Sequence, residues 1–157
     1  MIQRKQTVFL AVGALLAGLL YFVPLVRYAR GTDVFVLRAT GLADASGAAV
    51  PGVALKFPMH LLAGLLAALL VVVIVFFKDR PRQLRLLRFG YVFALGLQTT
   101  ELFTHTSVRA YLALNSPVEH TFLPGFFLPL GVLLCCFLAE RGIKADEELI
   151  KSMDRLR

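Results

Sequence analysis

The sequence predicts an all-α membrane protein, a four-transmembrane-helix bundle with a small β-hairpin-like outer loop and an amphipathic cytoplasmic C-terminal helix. Three observations carry that reading. Of the 157 residues, 58% are hydrophobic, above the roughly 45–50% of soluble domains, and the mean hydropathy is +0.74. The apolar residues gather in four runs, each near the ~20 residues that cross a hydrocarbon core. Between the runs, basic residues crowd into alternate connections. The length is that of a single domain.

The first run covers residues 7–26, TVFLAVGALLAGLLYFVPLV, and follows MIQRK. It outlasts the ~7–15-residue apolar core of a secretory signal, and VRYARG after it offers no small-residue cleavage site. A retained anchor is expected. Residues 27–57 form the outer loop, where Val34–Val36 and Val50–Leu55 are β-prone and Asp44, Ser46 and Gly47 are turn formers. A hairpin alone is marginal in water, so this cap should rest on the helix ends or on another protein. The second run is residues 58–77. Residues 78–88 then form a short connection in which Pro81 suits a tight turn between antiparallel spans.

The third run, residues 89–108, leads through an outer connection, 109–121, to the fourth, 122–138, whose start is marked by Pro124–Gly125. Residues 139–157 read as a separate tail helix, with Leu149, Met153 and Leu156 on one face and Glu147 four residues before Lys151. Such a helix lies on the membrane surface or against a partner.

Orientation follows from Lys and Arg, which mark cytoplasmic loops. Arg4, Lys5, Lys78, Arg80, Arg82, Arg85, Arg88, Arg141, Lys144, Lys151, Arg155 and Arg157 make 12 of the 17 basic residues. Arg27, Arg30, Arg38, Lys56 and Arg109 fall on the other side. Both termini and the central connection are therefore expected in the cytoplasm. The net charge of +7 sits at membrane edges without a nucleic-acid-reading motif. Lipid headgroups are its expected counter-charge, and nucleic acid is not an expected partner.

Small residues four apart, Ala14 and Gly18, Gly64 and Ala68, Gly90 and Ala94, let helix backbones approach closely. Packing within the chain is the first reading of them. Homodimerisation or docking on a larger subunit is the alternative, and the oligomeric state stays open. Cys135 and Cys136 are adjacent, lack the C-x-x-C spacing of zinc sites, and read as apolar filler. His60, His105 and His120 all fall toward the outer side and are the candidate metal ligands. No motif such as H-E-x-x-H joins them, so neither a metal nor a cofactor is expected.

The remaining candidate lies in LGLQTTELFTH. At 100° per residue, Gln98, Glu101, His105 and Arg109 form a polar intramembrane stripe on the third helix. Glu101 and His105, i and i+4, are spaced to hydrogen-bond each other. Ionisable groups inside a membrane are functional candidates by default. One reading is a proton or cation path, and the other is a polar clamp within the bundle or against a partner subunit. Transporters normally carry internal repeats and broken helices, and no repeat is present here. The clamp is the preferred reading.

Four phrases, MIQRKQT, GLADASG, FLPL and KADEELIKSMDRLR, resemble in order the domain-of-unknown-function family 4293, small four-helix membrane proteins of Bacteroidota. The resemblance implies a bacterial inner membrane and supplies no reaction or catalytic residue. The expected function is that of a non-enzymatic accessory or assembly subunit of a larger envelope complex, with lipid and other membrane subunits as partners. The alternatives are a small proton-coupled transporter or membrane-enzyme subunit using Glu101 and His105, and a sensor or binding module using the outer loop.

Overall fold

A computed structural model describes residues 5–50, 58–114 and 117–155. In chain order the elements are α1 (Lys5–Leu19), β1 (Val26–Arg30), β2 (Asp33–Arg38), β3 (Gly41–Asp44), α2 (Met59–Val75), α3 (Arg80–Leu112), β4 (Glu119–Phe122), a 3-10 turn (Pro124–Phe127) and α4 (Leu128–Arg155). The all-α expectation is thereby corrected: four helices carry a four-stranded antiparallel sheet of order β3-β2-β1-β4.

The four-span expectation is corrected with it. By length and composition, one helical stretch among the described residues can cross a membrane, Pro124–Glu148, and 39% of its apolar window is buried in the protein. α1 ends at Leu19 because the chain turns there, Tyr21 and Phe22 donating to the carbonyls of Gly18 and Leu19. Its 15 residues reach ~22 Å at 1.5 Å per residue, short of the ~30 Å core. α2 has 17 residues. α3 has 33 residues but spreads Arg80, Arg82, Arg85, Arg88, Glu101 and Arg109 along its length, and fails on polarity.

The expected cap is a larger sheet than a hairpin. β1 and β2 close through Gly31 at φ +59°, with Arg30 paired to Asp33. The turn at Asp44–Gly47 is where the sequence places it. The Asp44 carboxylate accepts from Ser46 N (2.9 Å), Ser46 Oγ (2.6 Å) and Ala48 N (3.0 Å), and Gly47 sits at φ +86°. The Ser46 hydroxyl bond first of all holds the Asp44 carboxyl below its ordinary pKa. Beyond the turn, Val50 N–H donates to Leu42 O (3.0 Å), and most of Val50–Leu55 lies outside the described residues. β4 comes from the segment divided between an outer connection and a fourth span, and pairs with β1 from Val26↔Phe122 to Ala29↔Glu119.

The central connection is shorter than residues 78–88. α3 already begins at Arg80, its N-cap Asp79 accepting from Arg82 N (3.2 Å) with Pro81 in the first turn. α4 runs without a break into the region read as a separate tail. α1 packs on α2 and α4, and α3 packs on the same two neighbours. Leu10, Ala17, Leu66, Leu70, Leu87, Ala94, Val132 and Cys136 fill the space between them.

The small-residue pairs divide accordingly. Gly90 and Ala94 are buried, and a Cβ on Gly90 would lie 3.5 Å from Leu70 Cδ2 and 3.6 Å from Cys136 Sγ. Gly64 receives the Tyr21 ring, a Cβ there falling 2.7 Å from the hydroxyl oxygen. Gly18 faces open space and Ala68 is exposed, with Ala14 half-buried. On α1 the packing stripe is instead Leu10, Gly13 and Ala17, one position round the helix.

Candidate functional site

The middle of the polar stripe of α3, Glu101 and His105, faces the interior. Leu97, Glu101, Thr104, His105, Val108 and Leu112 are the helix's buried residues along the last four turns. Their 3–4 spacing makes one helix face, and packing against the other helices and β1 decides that it points inward. Glu101 is 1% exposed and His105 5%. Glu101 Oε2 has no hydrogen-bond partner among the described residues, and neither does the buried Oε1 of half-buried Gln98. Arg109 is exposed in the last turn of α3, where a cation complements the helix carbonyl end.

His105 does not bond Glu101. Its Nδ1 is hydrogen-bonded to the Tyr28 hydroxyl at 2.9 Å, and the two rings stack at 5.7 Å with 14° between planes. Strand alternation explains how Tyr28 arrives there: Val26 and Tyr28 point toward the helices while Arg27 points away. Burial raises the Tyr28 phenol well above its ordinary pKa. The hydroxyl therefore keeps its proton at neutral pH and holds the joint as a neutral group.

His120 faces the same way on β4, directly across from Tyr28. Its ring lies 4.8 Å from that of His105, and Phe122 lies 5.0 Å from His105. Phe126 of the 3-10 turn continues the cluster at 4.5 Å from Phe122. Two imidazoles, a phenol and a row of aromatic rings thus join β1, β4, α3 and the start of α4. The closure is tight, since Gly125 N–H donates to Pro24 O (3.2 Å) and a Cβ on Gly125 would overlap that carbonyl.

His60 stands apart, half-buried in the first turn of α2. Its carbonyl accepts from Tyr21 OH, and its Nδ1 is buried without a partner among the described residues. The histidine trio is therefore resolved into a pair, His105 and His120, and a separate His60. Among the described residues no group of three or more His, Cys, Asp or Glu is disposed to hold a metal ion. Cys135 and Cys136 are free and buried, and Gly13 and Gly90 lie against them.

Three members of the cluster lie outside the sequence-based candidates: Tyr28, Phe122 and Phe126. The alternation in VRYAR was the available signal for Tyr28. Phe122 offered none, because the strand that holds it is only four residues long and borders an apolar run.

The sequence profile of one family, described as Domain of unknown function (DUF4293), matches residues 2–156. The chain belongs to that family. The match covers nearly the whole DUF4293 protein, sheet and helices together, so the Tyr28–His105–His120 junction lies within the family's own span. No curated protein and no solved structure matches the chain.

Proposed function

We propose that this DUF4293 protein is an accessory subunit of a larger envelope complex, seated in the bacterial inner membrane and without a reaction of its own. The observation that carries this reading is the reversal of burial along α3. Val92 is 66% exposed and Phe103 62%, while Glu101 and His105 are inside. Leu15, Leu65 and Leu134 extend the apolar exterior over the other helices. Lipid accepts such a surface, whereas water selects against contiguous apolar patches.

The exposed cations Lys78, Arg82, Arg85, Arg88, Arg141 and Lys144 lie toward the helix ends remote from the sheet. With Pro124–Glu148 as the crossing stretch, the positive-inside rule favours the cytoplasmic side for those ends and the outer side for the sheet. The inward polar groups tie sheet to helices through Tyr28 and His105. The outer face of the sheet, with Ala43, Val36, Arg27 and Thr121 in one cross-strand row, is then the part presented to other proteins.

Mild-detergent purification should retain a stoichiometric envelope partner, and Arg27→Glu or Val36→Glu should release it without lowering the amount of protein. Homogeneous protein lacking any partner under several gentle conditions overturns the reading. A second reading, proton or cation handling, is favoured by the unpartnered Glu101 Oε2. It requires Glu101→Gln to abolish a flux measured in proteoliposomes while the fold is kept. Unchanged flux removes it.

A further inference from the structure

We infer that β4 is an interface strand through which two copies of this chain join their sheets edge to edge. The sheet has two edges, β3 and β4. The β3 edge is covered by the returning chain, through the Ala43↔Ala49 bridge and the bond from Val50 N to Leu42 O (3.0 Å). The β4 edge is flanked by β1 on one side and by no strand on the other among the described residues.

The phase of the β1–β4 ladder decides which groups face outward. Leu123 N–H donates to Leu25 O (2.9 Å), and hydrogen-bonded and non-hydrogen-bonded pairs alternate in an antiparallel ladder. Glu119, Thr121 and Leu123 therefore direct their backbone groups at β1, while those of His120 and Phe122 point away from it. No other backbone hydrogen bond among the described residues reaches His120 or Phe122. Such a row of unused N–H and C=O groups is a template for another strand.

A second copy fits that template. A two-fold axis through Thr121 sets His120 of one copy opposite Phe122 of the other, and the reverse, so that all outward groups of both residues are used. This is an isologous contact, the commonest kind in homo-oligomers. The same register opposes Glu119 to Leu123, leaving the two Glu119 carboxylates ~13 Å apart along the strands. That exceeds the ~8 Å screening length at physiological salt. Phe122, 39% exposed, gains a cross-strand imidazole neighbour. An axis normal to the sheet also keeps both sets of helices on one face. Compatibility with a single membrane rests on the functional reading above, but the strand pairing does not.

Cross-linking tests the pairing in the full chain. Thr121 meets its own copy as a non-hydrogen-bonded pair, with Cα atoms ~4.5 Å apart, within disulfide reach. Thr121→Cys should give a reducible homodimer in oxidised membranes, while Glu119→Cys and the wild-type chain, whose cysteines are buried, should not. Thr121→Asp should abolish the dimer on light scattering by placing like charges on the axis, and Arg27 beside it in β1 supports the monomer fold. The inference is overturned if Thr121→Cys cross-links no better than Glu119→Cys or bonds a different polypeptide. An unchanged dimer mass for Thr121→Asp overturns it as well.

Discussion

At the sheet-capped end of the helices, Tyr28 and His105 meet across 77 residues of chain in a buried hydrogen bond. At the opposite end two ion pairs close within one helical turn, Asp79 with Arg82 at 2.9 Å and Glu140 with Lys144 at 2.7 Å. Longer ties there are partly buried: Tyr91 OH donates to Glu140 Oε2 (2.9 Å), and Arg80 reaches Asp146 at 3.8 Å. The buried exception is Gln83, whose Nε2 donates to Val73 O (3.1 Å) across the α2–α3 turn. The difference concerns where stability is concentrated. A buried polar group that loses its partner forfeits its solvation too, whereas an exposed pair gives its ions back to water. The sheet end should therefore be the sensitive one.

The largest effect is expected from Gly125→Ala. The added methyl would overlap the Pro24 carbonyl, backbone that cannot rotate away, so the sheet and α4 must separate locally. A cost of about 3 kcal/mol or more, read as thermal unfolding in detergent, follows from overpacking of this kind. An unchanged melting temperature would mean that the sheet is loosely seated and the contrast between the ends is weak.

Tyr28→Phe comes next, because it leaves His105 Nδ1 buried without its partner. About 1–3 kcal/mol should be lost, and α3 amides near His105 should exchange faster while those near Arg82 do not. Equal acceleration at both ends would dissolve the distinction.

Asp44→Asn should weaken only the β3 turn. Because the folded pKa of Asp44 is lowered, its contribution is present above the unfolded value of about 3.9 and lost as pH falls through the folded value. The difference between wild type and variant should close in acid. A difference that widens in acid would contradict the turn geometry.

Lys144→Ala is expected to matter least. Lys144 is 56% exposed in its side chain, and an i,i+4 helix pair contributes about 0.3–0.5 kcal/mol. Raising the salt concentration should erase even that in a paired melting comparison.

Several features were legible in the chain itself. The Asp44–Ser46–Gly47 turn, Pro81 in the first turn of α3 and the apolar runs are local signals, and the alignment of Gln98, Glu101, His105 and Arg109 on one helix face follows from helical spacing alone. The errors share one cause. An apolar run need not be one span: the run ending at Val26 gives up its helix at Leu19 and supplies a strand, and the run starting at Phe122 begins with the end of β4. Hydropathy responds to both states alike, because a strand buried on helices is as apolar as a helix in lipid. The α1 contact uses Gly13 and Ala17 in place of Ala14 and Gly18 for a related reason: small residues allow close approach, but the neighbouring helix decides which face is used.

The sequence by itself determined the apolar helices, the basic end, the β3 turn and the alignment of Gln98, Glu101, His105 and Arg109, all set within a few residues by period and charge. Only the tertiary structure decided that β4 reaches back to β1, that His105 bonds Tyr28 in place of Glu101, and that Glu101 and His105 face inward. Those outcomes join distant segments, such as Val26 and its strand partner Phe122, 96 residues further along the chain. Among such segments many pairings satisfy the same local rules, and the shared burial of Tyr28, His105 and their aromatic neighbours selects one of them.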